Sequence, residues 1–142
     1  MTHIQSIEVW HKDLEFKEPY WLAGGRLKFE VLDSTIVRVI CSDGTIGWGE
    51  SCPWGHTYIP GFGPGARAAM PFLADVLLGE DPLHIDYLNQ KMDIQLPGHL
   101  YAKSALDIAL WDIKAKRLNV PLFVALGGAF GEDVLVNSSI ST

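Results

Sequence analysis

Two aromatic stretches hold the side chains best suited to gripping a small ligand: Tyr20-Trp21, and Trp54-Gly55-His56-Thr57-Tyr58. The face of a Trp or Tyr ring attracts a cationic group and packs well against an apolar one. Both stretches are punctuated by Gly and Pro, which marks them as loops, where rings have little core to fill. Tyr20, Trp21, Trp54, His56 and Tyr58 are therefore the candidate substrate-binding residues. Packing of the same rings against a second domain stays open as the alternative.

Other reactive residue types form no site at this level. The run Gly61-Phe62-Gly63-Pro64-Gly65-Ala66-Arg67 has the glycine density of a phosphate cradle. However, loop rather than strand precedes it and Pro64 removes an amide donor, so a helix-entry loop is the better reading. The five histidines (His3, His11, His56, His84, His99) form no i, i+4 pair and no short metal spacing. Cys41 and Cys52 have neither a metal-knuckle nor a nucleophile pattern, and no Gly-x-Ser-x-Gly elbow occurs. Asp107 and Asp112, five residues apart on a helical stretch, point in different directions. They are expected to anchor that helix to a neighbouring element.

The elements that must position the aromatic loops can be read from periodicity. Ile4 to Trp10 alternates as a first strand, Leu14 to Arg26 reads as a loop with Tyr20, Trp21 and Leu22 at its tip, and Lys28 to Cys41 is a long β-branched strand. Ser42-Asp43-Gly44-Thr45 supplies an Asp-Gly hairpin turn into Ile46-Gly47-Trp48-Gly49-Glu50. A three-stranded antiparallel meander results. After the loop from Cys52 to Gly65, helical spacing appears over Ala66 to Leu78. Asp81-Pro82 looks like an N-cap with proline at the first helical position, opening a helix to about Met92. His99 to Leu118 is the longest helix, with Ala102, Ala105, Leu106, Ala109, Ile113 and Ala115 along one side. Pro121 ends it and Gly127-Gly128 closes a short helical turn. Asp133 to Thr142 is strand-like in composition, either a terminal strand of this α+β domain or the start of a second domain.

Composition narrows the partners. The chain has 142 residues, 48% hydrophobic and 20% charged, enough for one domain with a real core. A net charge of -6 without a basic stripe argues against nucleic acid. No apolar run reaches the ~18 residues of a membrane span, and the N-terminus lacks the basic start and apolar run of a signal peptide. A soluble, cytoplasmic protein with reduced thiols is the expectation.

The run Ala102-Lys103-Ser104-Ala105-Leu106-Asp107-Ile108-Ala109-Leu110-Trp111-Asp112-Ile113-Lys114-Ala115-Lys116, then Val120-Pro121-Leu122 and Leu126-Gly127-Gly128, closely resembles a signature of the enolase superfamily. Specifically it resembles the mandelate racemase/muconate lactonizing enzyme branch. Thr35 to Val39, Asp43-Gly44 and Gly47-Trp48-Gly49-Glu50 fit that family's meander, so the likeness covers essentially the whole chain. It implies an α+β fold: a meander followed by a helical bundle, the N-terminal cap of residues 1–130. A (β/α)7β barrel would begin at 131–142, with Val134 to Thr142 as its first strand, and the chain would stop before the chemistry. Two mobile loops, 14–26 and 52–62 by position, would close over the substrate.

The resemblance further implies an enzyme in which a barrel base removes the proton α to a small carboxylate while Mg2+ stabilises the enediolate. The bases and the metal ligands would lie in the barrel, so no catalytic residue and no metal ligand maps onto this sequence. Lys103, Lys114 and Lys116 belong to a cap helix. Cys52-Pro53-Trp54-Gly55-His56-Thr57-Tyr58 followed by Gly65-Ala66-Arg67-Ala68 resembles the hydroxyproline dehydratases and proline-betaine epimerases, whose charged ring nitrogen suits an aromatic pocket. A sugar-acid dehydratase of the same superfamily, or a non-catalytic ligand-binding domain, are the alternatives. The full-length enzyme is expected to be a homo-oligomer, and the 142 residues alone to be inactive.

Overall fold

The computed structural model describes residues 2–135. β1 (Ile4–Leu22), β2 (Leu27–Cys41) and β3 (Ile46–Ser51) form one antiparallel sheet in the order β1-β2-β3. Four helices follow: α1 (Gly63–Leu77), α2 (Ile85–Gln95), α3 (Leu100–Leu118) and α4 (Leu122–Ala125). The architecture is the expected α+β meander and helical bundle.

Alternation along β2 decides which face of the sheet is buried. Thr35, Val37, Val39 and Cys41 are fully buried against the helices, while Ile36, Arg38 and Ile40 point the other way. The turn between β2 and β3 closes as Gly44 adopts φ +84° and the Asp43 carboxylate accepts the Thr45 N–H at 3.0 Å. That is the Asp-Gly chemistry a tight hairpin needs.

Helix α3 lies across the inner face of β3, and two glycines make this possible. A Cβ on Gly47 would sit 2.6 Å from the Ile113 side chain and 3.0 Å from the Ala109 carbonyl carbon. One on Gly49 would sit 2.9 Å from the Ala105 carbonyl carbon and 3.0 Å from the Ala109 nitrogen, nearer still to the Ala105 oxygen. The small residues facing them, Ala105 and Ala109, are fully buried. Helix and strand backbones thus meet directly, without side chains between.

The same helix caps the free edge of the sheet. Asp112 accepts the Trp48 N–H at 2.9 Å, and Lys116 donates to the Ile46 carbonyl at 2.8 Å while pairing with Asp112 at 2.7 Å. An exposed edge strand is a template for unwanted pairing; here the Trp48 donor and the Ile46 acceptor on that edge are both taken. Asp107 accepts from the Asn89 amide at 2.7 Å, tying α3 to α2. Both aspartates are anchors, as expected. Leu73 and Leu77 of α1, Leu88 and Met92 of α2, and Leu106, Leu110 and Ile113 of α3 complete the core.

Three element boundaries differ from the sequence reading. Leu14 to Leu22 is not loop but the continuation of β1, paired with β2 as far as Leu22 opposite Leu27. Pro19 is tolerated because residues 16–19 bulge out of register between the Glu15–Val31 and Tyr20–Phe29 pairs. The reversal is confined to 23–26, where Ala23, Gly24 and Gly25 all have positive φ. Helix α1 starts at Gly63 rather than Ala66, since Pro64 at its first turn needs no amide donor. Asp81-Pro82 does not cap α2: Asp81 accepts the Leu83 N–H at 2.9 Å in a turn, and the helix begins at Ile85. The strand expected from Asp133 has no regular structure at 133–135, and its remainder, with most of the expected barrel strand, lies outside the described residues.

Candidate functional site

The long β1–β2 hairpin and the loop from Cys52 to Phe62 meet in an aromatic cluster with Trp54 at its hub. Its ring centroid lies 5.3 Å from Tyr20, 5.6 Å from Phe29, 6.2 Å from Phe16 and 6.4 Å from Tyr58. Edge-on and tilted geometries dominate, the arrangement that ring quadrupoles favour. Three of the five candidate residues, Tyr20, Trp54 and Tyr58, are therefore brought together across two elements far apart in sequence. Tyr20 is 41% exposed and Tyr58 66%, so both side chains remain in contact with solvent.

The other two candidates sit apart. Trp21 follows Tyr20 on a strand, so its side chain faces the opposite side of the hairpin, where Lys28 stands 5.5 Å over its ring. His56 is exposed and lines a neighbouring cavity of about 430 Å³ together with Asp33, Pro53, Gly55, Phe62 and Pro64. Phe16 and Phe29 were not among the candidates. Their signal is the cross-strand pairing of Tyr20 with Phe29, which cannot be read until the register is known.

The loop is fixed at both ends. Gly55, with φ +65°, would place a Cβ 3.0 Å from the Phe29 ring, and Gly61 would place one 2.5 Å from the Tyr101 ring. The Asp33 carboxylate lies against Gly63 at the start of α1. A carboxylate of the chain itself thus stands where a phosphate cradle would need its anion, in line with a helix-entry loop. Arg67 clamps that carboxylate with two hydrogen bonds, 2.5 and 3.1 Å, and holds its pKa below the usual value, with a smaller contribution from His11. The Arg67 pKa is raised in return, mainly by the hydrogen bond to Asp33. Burial raises the Cys52 thiol at the loop's start. One polar atom is left over: the buried Trp54 Nε1 has no hydrogen-bond partner among the described residues.

No short histidine spacing was evident in the sequence, yet the hairpin gathers His11, Asp13 and Asp33 within 4.8 Å of one another. The group does not fit Mg2+, which demands octahedral oxygen ligation. It offers an imidazole, and the Asp33 carboxylate is already held by Arg67.

The family model for the "Mandelate racemase / muconate lactonizing enzyme, N-terminal domain" matches residues 7–127. The chain belongs to this family. It is 40% identical to a cis-3-hydroxy-L-proline dehydratase of Roseibium aggregatum over 97% of this chain and 38% of that protein. A crystal structure of an enolase-superfamily member from Roseovarius nubinhibens superposes with a TM-score of 0.90 at 50% identity, covering 100% of this chain and 38% of the other. A second, from the same organism and complexed with magnesium, gives 0.83 at 49% identity, covering 90% and 34%. Other members of the family are named as racemases, epimerases and dehydratases. The chain spans well under half the length of these relatives. None of the helices among the described residues is long and apolar enough to cross a membrane.

Proposed function

We propose that residues 1–130 are the substrate-covering cap of a cytoplasmic, Mg2+-dependent enzyme that removes the proton α to the carboxylate of a proline or hydroxyproline derivative. Residues 131–142 would open its (β/α)7β barrel. The reading is carried by one observation: a ring cluster around Trp54 that joins the hairpin to the following loop, in a family whose relatives include a hydroxyproline dehydratase. Magnesium would supply Lewis-acid stabilisation of the enediolate from ligands outside this chain; a relative's structure holds that ion. The work of this chain is exclusion and orientation. Tyr20, Trp54 and Tyr58 present ring faces to a cationic ring nitrogen and its apolar methylenes. His56, on the rim, faces the polar end of the ligand. Trp21 would close from the other side of the hairpin tip. The 142 residues alone would turn over nothing.

The test is full-length protein with Mg2+ in deuterated water, given a panel of proline betaines and hydroxyprolines. Incorporation of deuterium at Cα, or loss of water from a hydroxyproline, is expected. Absence of both across the panel overturns the substrate assignment. Tyr58→Ala and Trp54→Ala should raise KM for the turned-over member at least tenfold while affecting kcat less, since ring contacts made equally in ground and transition states act on binding.

A further inference from the structure

We propose that Asp33 is the positioning residue that ties the outer part of the β1–β2 hairpin and the loop from Cys52 to Phe62 into one unit. This rests on the reading that both elements cover a ligand, and names the side chain that sets their relative place.

Three elements converge on this carboxylate. Asp33 stands on β2 directly opposite Asp13 on β1. His11 lies two residues before Asp13 and so on the same face of the strand. Its Nε2 is 2.9 Å from Asp13 Oδ1 and 3.3 Å from Asp33 Oδ1. From α1, Arg67 donates through Nη1 to Asp33 Oδ1 at 2.5 Å and through Nη2 to Oδ2 at 3.1 Å. The same Nη1 reaches the Thr35 hydroxyl at 3.2 Å. The carboxylate also packs on Gly63, the first residue of α1, where a Cβ would lie 2.5 Å from Oδ1.

Asp33 therefore sits at the root of both elements. Two pairs beyond Asp13–Asp33, at Glu15–Val31, the regular ladder gives way to the bulge that aims Tyr20 at Trp54. On the other side, Gly63 directly follows Phe62, the end of the loop.

An ordinary strand-to-helix ion pair would account for Arg67 alone. Two features go beyond it. Like charges directly across a strand pair repel, and Asp13 and Asp33 are kept together by His11 from β1 and Arg67 from α1. The hairpin thus holds its local charge balance only with the helix entry in place. In addition, a cavity of about 430 Å³ is lined by Pro53, Gly55, His56 and Phe62 of the loop and by Asp33. With that space against it, the loop takes its position from the Trp54 cluster and from its end at Gly63, where Asp33 is seated.

Hydrogen–deuterium exchange on the full-length protein, read by mass spectrometry, tests this without any substrate. In Asp33→Asn, amides of both 14–26 and 52–62 should exchange about fivefold faster, while 100–118 is unchanged. Arg67→Met should give the same pattern, and the double variant no more than either single one. Should Asp33→Asn fail to fold, His11→Gln at an exposed position replaces it, with about twofold faster exchange expected in both segments. For a substrate that is turned over, Asp33→Asn should raise KM about tenfold and leave kcat nearly unchanged. Unchanged exchange in either segment, an increase shared by 100–118, additive effects in the double variant, or an unchanged KM overturns the positioning role. Failure of the whole substrate panel with the exchange pattern intact would strike the ligand assignment and leave the coupling of the two elements standing.

Discussion

Replacing Gly49 with alanine is the sharpest probe of how the cap is assembled. The new methyl would stand 2.9 Å from the Ala105 carbonyl carbon and 3.0 Å from the Ala109 nitrogen, with the Ala105 oxygen closer still. All of these are backbone atoms of α3, so no side chain can swing aside. Relief requires moving the helix axis away from β3, which would also stretch the Asp112–Trp48 and Lys116–Ile46 bonds across the same seam. Inserting one methyl into a packed core costs ~1–3 kcal/mol. With two edge hydrogen bonds of ~1 kcal/mol each strained alongside, the loss should reach at least ~3 kcal/mol. Gly44→Ala is the control: it meets no atom within 4 Å but sits at φ +84°, so it should cost only the ~1 kcal/mol typical of a left-handed position. Urea unfolding followed by tryptophan fluorescence reads both. If Gly49→Ala shifts stability no more than Gly44→Ala, the close-approach reasoning is wrong.

Other outcomes follow from the hydrogen bonds and titrating groups. Asp112→Ala should destabilise by ~1–2 kcal/mol through the lost acceptor for Trp48, whereas Lys116→Ala, breaking a half-exposed pair, should cost under ~1 kcal/mol by the same unfolding assay. Because Arg67 holds the Asp33 carboxyl below its unfolded value, that group stabilises the fold above the unfolded pKa and loses its contribution as pH falls through the folded one. Arg67→Met should therefore weaken the protein at neutral pH and flatten the acid limb of a stability–pH curve. Cys41, pushed up to about 11 chiefly by burial, should resist an aromatic disulfide reagent at pH 8 in native protein and react on unfolding. Trp54→Phe removes a buried N–H that has no partner but also shrinks the ring at the hub of the aromatic cluster, so urea titrations should show a loss of ~1–3 kcal/mol that comes from packing and not from a hydrogen bond.

How much of this was legible in the sequence depended on whether the signal was local. The meander, the Asp-Gly turn and the long helix all rest on period and turn chemistry within a dozen residues, and each is found where expected. Gly47 and Gly49 were visible, but their purpose was not, because it depends on Ala105 and Ala109 more than fifty residues away. The same distance hid the role of Asp112: its anchoring was anticipated, its partner on the strand edge was not. Leu14 to Leu22 failed for a physical reason. Pro19 is a strand breaker in any local rule, and only the bulge of residues 16–19 opposite Glu30 lets the pairing resume at Tyr20.

That bulge has a consequence for the candidate site. By absorbing extra residues in β1, it sets which way Tyr20 and Trp21 face. Pairing with Phe29 turns Tyr20 toward Trp54, and alternation then turns Trp21 away. A slip of one residue would exchange the two rings. The aromatic dipeptide visible in the sequence is therefore not one binding feature but two surfaces, and the irregularity around Pro19 is what assigns them. Deleting one residue from 16–19 should accordingly do more harm to ligand affinity than replacing Trp21 with alanine, because it would remove Tyr20 from the cluster and place an indole against Trp54 in its stead.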